Sequence, residues 1–142
     1  DVAKRERDAA QAVTDFMVEL FEVTDPSEAR GSSITAREVL DRGNERIADE
    51  LKDQPEIRAR LLDAIGRVYY GLGLYEDARQ HFGEVVALQR ETGATEAAIA
   101  TSIRREADAT MEFGDNISGV EMLRNALEIQ QRTLRSDDPE IV

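Results

Sequence analysis

A five-residue phrase that returns down the chain limits the architecture more than any other feature. Asp53-Gln54-Pro55-Glu56-Ile57 recurs as Asp137-Asp138-Pro139-Glu140-Ile141, 84 residues later, which is two periods of about 42. Inside that span Ala36, Leu40 and Gly43 stand 42 positions before Ala78, Phe82 and Val85, and Gly119, Leu123 and Ala126 follow 41 positions after them. Small, large and small residues thus recur three times. A chain with this periodicity is built from stacked copies of one supersecondary unit, each burying the apolar side its neighbour cannot cover.

Within each period the apolar residues fall three and four apart, and Pro and Gly gather mainly at the boundaries, so each unit reads as two helices joined by a short turn. The first helix is expected from about Ala3 to Val23, with Ala9, Val13, Phe16, Met17, Leu20 and Phe21 on its apolar face. An irregular connection, Thr24 to Ile34, follows. The second helix opens at Thr35, which forms a capping box with Glu38, and runs to about Leu51. The third starts near Pro55, where a missing N–H costs nothing, and ends at Gly71-Leu72-Gly73. The fourth covers Tyr75 to Glu91 before Gly93, the fifth Thr95 to Phe113 before Gly114, and the sixth Asn116 to Leu134. No alternation typical of strands is present.

Composition narrows the function classes. The 142 residues carry 18 Lys and Arg against 30 Asp and Glu, a net charge of -12, so the global field repels nucleic-acid phosphates and anionic lipid. Neither is expected as a partner. With no cysteine and the single histidine His81, thiolate zinc sites and cysteine nucleophiles are excluded, and no metal or cofactor is expected. The longest run of low polarity, Val68 to Tyr75, is far too short to span a bilayer, and no cleavable leader is visible, so a cytoplasmic location is expected. The chain opens on Asp1 and closes on a repeat of its own helix-opening phrase, which reads as a piece of a longer protein.

The central unit reads Leu62-x-x-Ile65-Gly66-x-x-Tyr69, then Gly73-x-Tyr75-x-x-Ala78, then Phe82. This resembles the tetratricopeptide repeat, with Leu62 where that family often has Trp and a period longer than its usual 34. The resemblance implies an all-α fold, a right-handed superhelix of three helix pairs. Residues 1–34 would form an atypical N-terminal helix and connection, 35–54 the second helix of the first unit, 55–93 the second unit, 94–136 the third, and 137–142 the start of a next unit. In the third unit Glu106 stands where an apolar residue is expected. A second stretch, Val13-Thr14-Asp15-Phe16 through Leu20-Phe21-Glu22-Val23, Asp25-Pro26-Ser27-Glu28-Ala29-Arg30-Gly31 and Ile34 to Gly43, is similar to the segment between catalytic domain and repeats in bacterial serine/threonine protein kinases. That likeness covers roughly residues 11–90 and implies a regulatory arm. The kinase signatures themselves are absent from these residues, so no catalytic role is assigned.

Candidate chemistry is sparse. Gly71-x-Gly73 follows a helix rather than a strand and reads as a turn, not a phosphate loop. Paired acids such as Asp49-Glu50 are expected by abundance in so acidic a chain. By family analogy the first helix of each pair lines an inner groove, which places Arg60, Asp63, Arg67 and Tyr70 of the second unit and Arg104, Asp108 and Met111 of the third on it. Three arginines there would attract an acidic protein or peptide segment, unless they pair with acids of their own chain such as Asp63 and Asp108. The clamp of Lys and Asn residues that holds chaperone tails is missing. Homodimerisation through the apolar face of the first helix or the exposed end of the last unit is the second expectation, and a peptide or small-ligand sensor the third.

Overall fold

Helix boundaries fall where capping chemistry puts them. The computed structural model describes residues 2–22 and 35–137, which form the helices α1 Val2–Glu22, α2 Ala36–Glu50, α3 Pro55–Gly71, α4 Tyr75–Thr92, α5 Glu96–Phe113 and α6 Asn116–Asp137. Among the described residues no strand occurs, and adjacent helices pack in pairs, so the fold is all-α as expected. The expected connection Thr24 to Ile34, much of the kinase-like stretch and residues 138–142 lie outside the described residues.

Three helices begin on side chains that accept from orphan backbone donors. Thr35 Oγ1 accepts from the Glu38 N–H at 3.2 Å, Thr95 Oγ1 from Ala98 N–H at 3.1 Å, and the Asp115 carboxylate from Ser118 N–H at 3.1 Å. Each such cap is worth about 0.5–2 kcal/mol. Three turns end in one device. Gly73, Gly93 and Gly114 take φ of 78°, 72° and 114°, and the following N–H reaches back five residues: Leu74 to Tyr69 O, Ala94 to Gln89 O, Asp115 to Thr110 O, at 2.9, 2.9 and 3.0 Å. A left-handed residue at this place satisfies helix-terminal carbonyls and reverses the chain, and glycine adopts it without steric cost. The sixth helix runs to Asp137 rather than stopping at Leu134.

The chain divides into two compact units, Asp1–Ala64 and Ile65–Val142, with the boundary inside α3. In the first unit Phe16 and Leu20 of α1, Val39, Leu40 and Ile47 of α2, and Leu61 and Leu62 of α3 are buried. Arg46 of α2 binds Glu50 at 3.2 Å and Glu19 of α1 at 3.3 Å, with its guanidinium 4.7 Å from the centre of the Phe16 ring. The apolar side of α1 is therefore covered at Phe16 and Leu20.

In the second unit Ile65, Tyr69, Ala78, Phe82 and Val85 are buried, and Val86 joins a cluster with Ala100, Ile103, Ala126 and Ile129. Burial of a large aliphatic or aromatic side chain contributes about 1.5–3 kcal/mol, so the large members of this set each add appreciably to the unit's stability. Small residues set the spacing. A Cβ built on Gly66 would lie 2.9 Å from Phe82 Cε1 and 3.1 Å from His81 Cβ, so α3 and α4 cross there with no room for a methyl group. Gly66→Ala is expected to destabilise the chain by about 1–3 kcal/mol. At Gly83 the added methyl would meet only the Glu106 carboxylate, at 3.3 Å, which can swing aside. Urea unfolding of both variants checks this: the Gly66 variant should lose the more, and equal losses would remove the close crossing as the reason for glycine.

Candidate functional site

The second unit holds a concavity of about 260 Å³ lined by Arg67 and Tyr70 of α3, Phe82 of α4, and Arg105 and Asp108 of α5. Arg67 and Tyr70 stand one turn apart on one face of α3, and Arg105 and Asp108 do the same on α5, so helical spacing alone brings the four side chains to one hollow. Phe82 is buried beneath them. Tyr70 packs edge-on against Tyr75 with ring centres 5.3 Å apart. Burial, then the Glu112 and Asp108 carboxylates, raise its phenol above the ordinary tyrosine range, so the hydroxyl remains protonated at neutral pH and able to donate. The hollow thus offers two guanidiniums, one phenolic donor, an apolar floor and one carboxylate.

Of the seven residues singled out in the sequence, Arg67, Tyr70 and Asp108 come together here. Arg104 is exposed on α5 and does not line this concavity, whereas its neighbour Arg105 does. One step along a helix turns a side chain by about 100°, so a family-based register can miss by one residue without missing the helix. Met111 faces α6 instead, lying against Gly119. Arg60 and Asp63 belong to the first unit, where Arg60 Nη2 donates to both carboxylate oxygens of Glu6 of α1, at 2.8 and 2.7 Å. Arg60 thus pairs with an acid of its own chain, but with Glu6, 54 residues away, which no local pattern could mark. His81 packs on Tyr69 at 5.0 Å, and its Nδ1 stands 2.8 Å from the Asp77 carbonyl, so within its helix it serves packing.

Glu106 explains itself only in three dimensions. It lines a second cavity of about 340 Å³ with Val86, Arg90, Ile103, Met122 and Asn125, and its backbone carbonyl accepts from Thr110 Oγ1 at 2.7 Å. Burial pushes its carboxyl above the ordinary value of 4.5, against the pull of Arg79 and Arg90. The folded state therefore holds this proton more tightly than the unfolded one, and stability falls as pH rises from the ordinary value through the raised one. Glu76 and Asp115 have the opposite sign, held low by Arg79 and by Ser118, and lose their contribution as pH falls. Glu106→Gln should raise the urea midpoint at pH 7 and leave it near that of the parent at pH 4. A variant less stable at pH 7 would show that the carboxylate is held by attraction rather than merely tolerated.

Among the described residues no group of three or more His, Asp or Glu is placed to hold a metal ion, and no helix is long and apolar enough to cross a membrane. No curated protein and no solved structure matches the chain. Residues 58–92, which comprise most of α3 and all of α4 with Arg67, Tyr70 and Phe82, match the family model described as the tetratricopeptide repeat.

Proposed function

We propose that the chain is a non-catalytic protein-binding module that takes an acidic peptide segment in the concavity of Arg67, Tyr70, Phe82, Arg105 and Asp108. Tetratricopeptide repeats generally mediate protein–protein interaction, and the observation that carries the finer reading is the pair of arginines over the Phe82 floor. Guanidiniums recognise carboxylates by charge-assisted hydrogen bonds, and the half-buried Tyr70 ring beside them offers a seat for an apolar neighbour of the acid. Asp108 and Glu112 beside Tyr70 disfavour a long acidic run, so the matching segment carries one or two acids next to an apolar residue.

Calorimetric titration of the whole chain with a dodecapeptide containing Asp-Leu and with its Lys-Leu counterpart tests this. The acidic peptide should bind with a Kd on the order of micromolar and weaken as salt rises. Equal binding of both peptides, or none, overturns the acidic-segment reading. We propose further that the module is the regulatory arm of a bacterial serine/threonine kinase in the cytoplasm. The support is the sequence resemblance over roughly residues 11–90, and a full reading frame without kinase signatures would overturn it.

A further inference from the structure

Glu106 breaks the apolar pattern of its repeat and is half-buried, yet Arg79 and Arg90 act on its carboxylate through the field alone, without a hydrogen bond. Arg79 is committed elsewhere: it donates to Glu76 at 2.6 and 2.9 Å, and its guanidinium lies 4.9 Å from the centre of the Phe113 ring. A desolvated carboxylate without a donor costs stability, and a sequence that keeps such a group against its own pattern marks a place to look for function. The cavity of about 340 Å³ around Glu106 is walled by α4, α5 and α6, all from residues 83–125. A mainly apolar hollow of this size with a few polar groups suits a small ligand.

The order of groups along the cavity defines that ligand. Contacts between α4 and α5 run antiparallel, Arg79 with Phe113, Gly83 with Glu106, and Val86 with Ile103. Gly83 therefore marks the carboxylate end, and Val86 and Ile103 form an aliphatic floor beyond it, with Met122 packed against their cluster. Arg90 follows Gly83 by seven residues on α4, two turns or about 10 Å along the axis, and stands exposed at the far end. We propose that this cavity binds a small ω-amino carboxylate, a molecule with an ammonium and a carboxylate at opposite ends of an alkyl chain. The ammonium pairs with Glu106, the alkyl chain lies on Val86, Ile103 and Met122, and the carboxylate meets the Arg90 guanidinium. Asn125 supplies a carboxamide able to accept from the one end or donate to the other. An α-amino acid, with both charges on one carbon, spans no such floor. The cavity shares no lining residue with the hollow of Arg67 and Arg105, so neither proposal depends on the other.

Titration of the whole chain with ω-aminohexanoate at pH 7, followed by NMR of the Met122 methyl group and the α4 amides, tests the site. Saturation is expected with a Kd of about 0.1–1 mM. Glu106→Gln and Arg90→Gln should each weaken binding by about tenfold or more, and so should removal of one charge from the ligand, as in hexylamine or hexanoate. Glycine, the zwitterion without the alkyl spacer, should not bind. Urea unfolding verifies that both variants are folded, and Glu106→Gln is expected to be the more stable, so its loss of binding is not a loss of structure. Absence of saturation, binding that either substitution leaves unchanged, or equal binding of glycine, hexylamine or hexanoate overturns the proposal.

Discussion

Tyr69→Ala is expected to lower the stability of the chain by about 3–5 kcal/mol, the largest loss from a single truncation in the second unit. The ring is fully buried, packed edge-on against His81 at 5.0 Å, and it stands on α3 one turn after Gly66, where that helix approaches α4 too closely to relax into the vacated space. The backbone role of this residue survives the change, because the Tyr69 carbonyl that accepts from Leu72 and Leu74 at 3.1 and 2.9 Å is retained. What is lost is therefore ring volume and its contacts, and the cost follows the cavity left behind. Since domains are stable by only about 5–15 kcal/mol, the variant should unfold at a much lower urea concentration. Ile65→Val, which removes one methylene from an equally buried site on α3, should cost about 0.5–1.5 kcal/mol. Comparable losses in the two variants would mean that Tyr69 fills no space of its own.

The contrast between what pattern reveals and what it conceals runs through individual residues. Pro55, Thr35, Thr95, Gly93 and Gly114 act within four or five residues of themselves, so the helix starts and stops they produce are legible locally. Gly66 and Ala78 are also legible, because a small residue recurring among large ones has few other uses than a close crossing. The end of α6 is less so: Leu134 is the last apolar residue of its stripe, but the helix continues to Asp137 because nothing before Pro139 forbids it.

Which residues line the concavity depends on side-chain direction, which the period specifies only to within a residue. Asp108 has an arginine both three and four positions before it, and either spacing brings it to roughly the same side of an isolated helix. Packing of α5 on α4 breaks that tie in favour of Arg105. Likewise Glu106 reads as a defect in the repeat until Gly83 is seen opposite it: the glycine leaves room for the carboxylate, and the helix pair tolerates a charged group at the cost of a raised proton affinity.

This distinction makes Arg104 a useful control for the binding proposal. Arg67→Glu with Arg105→Glu should weaken capture of the acidic dodecapeptide by about 100-fold or more, since each reversal removes a charge-assisted contact and adds a repulsion. Arg104→Glu changes the net charge by the same step as either single reversal, but from an exposed position outside the hollow. A long-range field would treat Arg104 and Arg105 alike, particularly at low salt, whereas contact within the hollow separates them at salt concentrations that shorten the Debye length to about 8 Å. The decisive comparison is thus Arg105→Glu against Arg104→Glu, titrated at physiological ionic strength. A loss confined to Arg105 supports the concavity as the seat of the peptide; equal losses would reduce the attraction to net charge, and a loss confined to Arg104 would move the seat to the adjacent face of α5.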